Sequence, residues 1–98
     1  MKAELLIRRR VAFANRDFVE LVVWRVPEPI PPTKHGFKYR LVYVVNGVRV
    51  IGVDNERGEG DNRHDQNGEV PYHFDGIDRL LSAFVEAVEI WRKSHGED

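Results

Sequence analysis

Two alternating apolar segments joined by Asn46-Gly47 constrain this chain more than any other feature in it. Phe37, Tyr39, Leu41, Tyr43 and Val45 recur at every second position, with Lys38, Arg40, Val42 and Val44 between them, and Val48 to Val53 returns as a second segment. Side chains that repeat with period two belong to a strand with one buried face. A two-residue hairpin loop needs positive φ at both central positions, which asparagine and glycine tolerate best. The dipeptide therefore predicts a type I′ hairpin, with Val45 opposite Val48 and Tyr43 opposite Val50.

The same period runs upstream. From Ala3 to Ala14, Leu5, Ile7, Val11 and Phe13 share one phase; from Phe18 to Val26, Phe18, Val22, Trp24 and Val26 share another, with Asn15-Arg16-Asp17 as the turn between them. Pro27, Pro29, Pro31 and Pro32 then exclude a ladder or a helix and predict an extended connection. At the other end Ile77, Leu80, Leu81, Phe84, Val88 and Trp91 fall at helical spacing, with Arg79, Glu86, Glu89 and Arg92 outside. Asp75 is the expected N-cap, Asp78 sits in the first turn, and 94–98 reads as a frayed tail. The expected fold is α+β: a small, four-stranded, mostly antiparallel sheet of two hairpins, with one C-terminal helix on its aromatic face (Phe13, Trp24, Tyr39, Tyr43). The whole chain, 1–98, reads as a single domain. The opposite face would present Arg8, Arg10, Arg25, Lys38, Arg40 and Arg49 among aliphatic side chains, a surface suited to a protein partner or a phosphate backbone.

Composition narrows the class. No apolar run reaches the roughly 18 residues that cross a bilayer, and Met1-Lys2-Ala3-Glu4 does not open a secretory signal; a cytoplasmic protein without a membrane partner is the expectation. The chain has no cysteine, so any metal would be held by carboxylate and imidazole. The net charge of -1 conceals a division: residues 1–53 carry ten Lys/Arg against four Asp/Glu, and residues 54–98 five against twelve.

Between the second hairpin and the helix lies the run Asp54-Asn55-Glu56-Arg57-Gly58-Glu59-Gly60-Asp61-Asn62-Arg63-His64-Asp65. It has no apolar side chain and neither a helical nor a strand period, so it reads as a loop, and polar loops of this length tend to carry function. Phe18-Val19-Glu20-Leu21-Val22-Val23-Trp24, Lys34-His35 with Phe37-Lys38-Tyr39-Arg40-Leu41, the polar run itself, and Pro71-Tyr72 ahead of a helix resemble, in this order, the TumE family of toxin–antitoxin proteins. Asn62 stands where the family pattern has a histidine, which leaves His64 as the histidine of the block. The resemblance implies the toxin of a type II two-gene module, neutralised by a helix-turn-helix antitoxin.

If such a toxin attacks RNA without a metal or other cofactor, it needs a base for the 2′-hydroxyl, an acid for the leaving oxygen and cations for the phosphorane. Within the run His64, Arg63, Asp61 and Glu56 are the expected catalytic group: His64 as acid or base, Glu56 or Asp61 as counterpart, Arg63 as phosphate clamp. Arg57, Asp54, Lys34, His35, Lys38, Arg40 and Tyr72 are the expected substrate contacts, Tyr72 by stacking on a base. A divalent ion on Asp54, Glu56, Asp61 and His64 is a rival arrangement that two interspersed arginines oppose. The other reading is a non-catalytic module that binds an antitoxin or nucleic acid through the basic sheet face; a homodimer is compatible with both. His73 and His95 read as ordinary exposed side chains.

Overall fold

A computed structural model describes residues 2–13 and 16–96. Six strands, β1 (Glu4–Ala12), β2 (Asp17–Arg25), β3 (Phe37–Val45), β4 (Val48–Glu56), β5 (Gly60–Asp65) and β6 (Gly68–Pro71), form one meander in chain order, followed by α1 (Ile77–Ser94). Every neighbouring pair is antiparallel. The α+β class and the C-terminal helix on the sheet are as expected, but the sheet has six strands and not four.

Of the two additional strands, β5 comes from the polar run and β6 from the residues that follow it. Gly58 and Gly60 adopt positive φ of 87° and 80°, and the Glu59 amide donates to the Glu56 carbonyl at 3.0 Å, which turns the chain back on β4. Asp65 then accepts from the Asn67 amide at 2.8 Å, and Gly68 at φ 118° completes the turn into β6. An Asx turn and left-handed glycines reverse a chain without apolar help, and backbone ladders hold polar strands at a sheet margin. Hydrophobic period is silent on such strands, which is why the run reads as a loop.

Asn46 at φ 50° and Gly47 at φ 79° form the expected turn. Val45 faces Val48 as predicted, but a bulge shifts the register so that Tyr43 faces Ile51 rather than Val50. The β1–β2 hairpin forms as well; its residues Ala14 and Asn15 lie outside the described residues. Val23 pairs with Tyr39 and Leu21 with Leu41, so the face of β2 under the helix carries Val19, Leu21 and Val23. Phe18, Val22 and Trp24 are therefore on the opposite face, contrary to the expectation for Trp24. Apolar residues occupy both phases of β2, so alternation alone does not choose between them. In β1 a register shift between Leu5 and Ile7 leaves Leu5 exposed while Ile7 and Val11 reach the core.

Leu80, Phe84 and Val88 of α1 pack on Tyr39, Leu41, Tyr43, Ile51 and Val53 in one cluster. Each such burial is worth about 1.5–3 kcal/mol. Gly76, not Asp75, precedes the helix, and no side chain caps it. Arg92, expected outside, is buried and donates to Asp17, which also accepts from the Tyr43 hydroxyl at 2.6 Å. Burial and the bond to Asp17 push the Tyr43 phenol up to about 12. This clip ties the end of α1 to the start of β2. Ser94 closes the helix, and residues 97 and 98 of the expected tail lie outside the described residues. Among the described residues no helix is long and apolar enough to cross a membrane.

Candidate functional site

β5 places consecutive side chains on opposite faces of the sheet, and the two faces are built differently. On the helix side, Asp61 is opposite Asn55. Its carboxylate accepts from the Thr33 hydroxyl at 2.7 Å and the Tyr39 hydroxyl at 2.6 Å, and His35 Nε2 lies 2.7 Å away. The Phe37 amide donates to His35 Nδ1 at 3.2 Å, so that nitrogen is the acceptor and Nε2 carries the hydrogen given to Asp61. The imidazole stacks on Phe74 with ring centroids 3.8 Å apart.

Burial alone would raise the Asp61 carboxyl, but the donors Tyr39, His35 and Thr33 outweigh it and hold the group below its ordinary value. Burial and the bond to Asp61 push the Tyr39 phenol well up. Asn55, fully buried beside this cluster, accepts from the Tyr39 amide and donates to the Phe37 carbonyl. The cluster also anchors the proline segment: the Gly58 amide donates to the Pro31 carbonyl, and a Cβ on Gly60 would lie 3.3 Å from the Pro32 ring. The segment expected to be a plain connection thus folds back across the β4–β5 turn. Tyr39 and Asn55 fall within the blocks that carry the family resemblance, but no charge marks either as a partner of this cluster, and Thr33 falls in no such block.

On the face away from the helix, His64 is opposite Gly52 and Glu69, and Asn62 is opposite Asp54, which is opposite Arg40. His64 Nε2 lies 3.3 Å from Glu69 and 3.8 Å from Asp54. A Cβ on Gly52, the residue opposite His64, would come within 3.2 Å of the Arg49 side chain, so the missing side chain leaves room for Arg49 to lie over this position of β4. Lys38 completes the row, donating to the Asn55 carbonyl and lying 3.7 Å from Glu56. Arg40 lies 4.0 Å from Glu20 and is half exposed.

The expected catalytic group is therefore divided. Asp61 and Arg63 are on the helix side, His64 and Glu56 on the other. Glu56 pairs with Gly60 while His64 pairs with Gly52, four residues along β4, a separation of roughly 13 Å. Arg63 has its Nε 3.9 Å from Asp65 and lines a cavity beside Ile90 and Trp91. Arg57 is exposed in the β4–β5 turn and Lys34 in the proline segment, while His35 is part of the Asp61 cluster. Tyr72 packs against the core on the helix side, its phenol raised by burial and then by Asp75 and Asp61. Asp54, Lys38 and Arg40 do share the His64 face. Glu69, the carboxylate nearest His64, was not singled out by the sequence, because its relevance depends on the β5–β6 register.

The same division separates Asp61 from Asp54, Glu56 and His64, the rival metal ligands. Among the described residues no group of three or more His, Asp or Glu is placed to hold a metal ion.

No curated protein and no solved structure matches the chain. The family model described as Toxin TumE matches residues 2–92 of its 98 residues. The chain belongs to the TumE toxin family.

Proposed function

We propose that this toxin acts on RNA through the open face of its sheet, cleaving it without a metal, with His64 as the acid–base group and Lys38, Arg40 and Arg49 as the phosphate contacts. The observation that carries the reading is the position of His64. Its imidazole is about a quarter exposed, lies 3.3 Å from Glu69 and 3.8 Å from Asp54, and shares its face with these cations. A carboxylate beside an imidazole orients the ring for proton transfer to or from a ribose oxygen. Arg40 and Arg49 supply planar donor forks that match phosphate oxygens. Glu56 is too far along β4 to share one phosphate with His64, so the counterpart is assigned to Glu69. Asp61, expected to take part, has its oxygens engaged by Thr33, His35 and Tyr39 and serves to hold the strand that carries His64.

As a toxin of a two-gene module the protein would be held inactive by an antitoxin, for which the family resemblance suggests a helix-turn-helix protein. The test is expression without the antitoxin. Growth arrest, and RNA cleavage by purified protein that is lost in His64→Ala but retained in Asp65→Ala, is the expected result. Intact RNA after incubation with folded wild-type protein would remove the nuclease.

A second reading has its own support. Trp24 is opposite Lys38 on the open face, and Arg10 lies over the Phe18 ring at 3.8 Å. Aromatic rings beside cations fit single-stranded nucleic acid held by stacking and charge, without chemistry. Salt-dependent RNA binding that survives His64→Ala, with no cleavage, would favour it.

A further inference from the structure

The sheet has two margins of different character. β6 is four residues long and ends on Pro71, whereas β1 is nine residues long and contains no proline. A long edge strand presents unpaired amides and carbonyls to any extended chain that approaches it. β1 carries three consecutive exposed arginines, Arg8, Arg9 and Arg10, and among the described residues neither Arg8 nor Arg9 has a carboxylate within salt-bridge distance. Immediately inside this edge, between β1–β2 and α1, runs a mainly apolar groove of about 440 Å³ whose lining includes Phe13, Leu21, Phe84 and Val85 together with Glu89 and Arg92. Phe13 and Val85 are 45% and 51% exposed, so the groove is an open apolar strip and not a sealed core.

We propose that β1 is the docking edge for an extended acidic segment of a protein partner, which adds a seventh strand to the sheet. Its carboxylates would meet Arg8 and Arg10, which share the open face with Val22 and Glu20, and its alternate, apolar side chains would pass Arg9 beside Leu21 and enter the groove on the other face. Strand addition takes affinity from main-chain bonds and specificity from every second side chain. The charge decides among occupants. Two copies of this chain paired through β1 would bring six guanidinium groups together. RNA could use the arginines but neither the backbone edge nor an apolar groove. An acidic, apolar-alternating polypeptide uses all three. The proposal rests on the reading of a partnered toxin only for who supplies the segment.

The probe is a labelled ten-residue peptide of alternating glutamate and valine, added to the full-length protein and followed by anisotropy and amide hydrogen exchange. Saturable binding that slows exchange in β1 is expected, with no binding by the alternating lysine–valine peptide. Affinity should fall at least about tenfold in Arg8→Glu/Arg10→Glu and several-fold in Val85→Arg, an exposed helix position that tolerates the change. Absence of β1 protection at millimolar peptide, or binding indifferent to both variants, overturns the proposal. So does an oligouridine that displaces the peptide and protects the same amides, or a concentration-dependent dimer in sedimentation with β1 protected. Growth arrest by the wild-type chain reports separately on the toxin reading: arrest without peptide binding removes only this docking edge, and binding without arrest removes only the toxin chemistry.

Discussion

Asp61 and His64 are three residues apart on β5, and the sheet separates them completely. Asp61 is turned inward, its side chain 12% exposed and its oxygens satisfied by Thr33, His35 and Tyr39. His64 is turned outward, 25% exposed, with two carboxylates near one ring nitrogen and cations on the same face. The residue types are those of an acid–base pair, yet one is enclosed within the fold and the other faces outward. Titratable side chains gain chemical meaning from what surrounds them, and a carboxylate saturated by buried donors is poorly placed to accept another proton.

The sharpest way to break the contrast is to remove each residue and ask which property fails. His64→Ala should lower RNA cleavage by about 10² to 10⁴-fold, the usual contribution of a positioned acid or base, while urea denaturation moves by less than about 1 kcal/mol. A large loss of stability with it would mean that His64 is structural like its neighbour. Asp61→Ala should do the reverse. Leaving the Tyr39 and Thr33 hydroxyls and the His35 ring without their acceptor should cost about 3 kcal/mol, read from the denaturation midpoint. If Asp61→Ala unfolds no more easily but abolishes cleavage, the roles assigned to the two faces are wrong.

Tyr39→Phe tests one strand of the knot. Asp61 keeps two donors, so the expected loss is about 1 kcal/mol, and a neutral result would show that the hydroxyl bond contributes nothing net.

The acid limb of the stability curve separates charge from shape. Because the folded state holds the Asp61 carboxyl below its ordinary 3.8, its contribution is present above that pH and is lost as pH falls toward the folded value. Asp61→Asn should therefore show a shallower loss of stability below about pH 4 than wild type. Equal slopes would assign the acid sensitivity elsewhere.

The smallest effect is reserved for the open face. Arg40→Ala should weaken RNA binding modestly and lower the salt dependence of log affinity by about one unit of slope, with stability unchanged to within about 0.5 kcal/mol. An unchanged slope would exclude Arg40 as a phosphate contact.

Much of the fold could be read from the residues because it is locally encoded. Asn46-Gly47 has few conformations open to it, and the stripe from Leu80 to Val88 suits only a helix with one buried face. β5 and β6 escaped that reading because their turns are made by glycine and Asx chemistry, the side chains of β5 are polar on both faces, and β6 is only four residues long. Trp24 was placed on the wrong face because β2 is apolar in both phases, and Arg92 was placed outside because nothing near it in sequence announces Asp17. In the candidate site, Asp54, Lys38, Arg40 and His64 were legible as charged groups. Arg49 was legible as part of the basic face, and Glu69 became relevant only through pairing register.

The chain by itself determined where strands turn and which stretch is helical, since backbone preference and hydrophobic period act over a few residues. Tertiary structure decided which polar side chains meet. Bulges between Leu5 and Ile7 and between Tyr43 and Val44 reset the register, and a one-residue slip moves a side chain to the other face of a sheet. The proline segment then commits Asp61 to Thr33 and His35 across more than twenty residues of sequence. His64 is left facing outward because its strand can present only every second residue to each side.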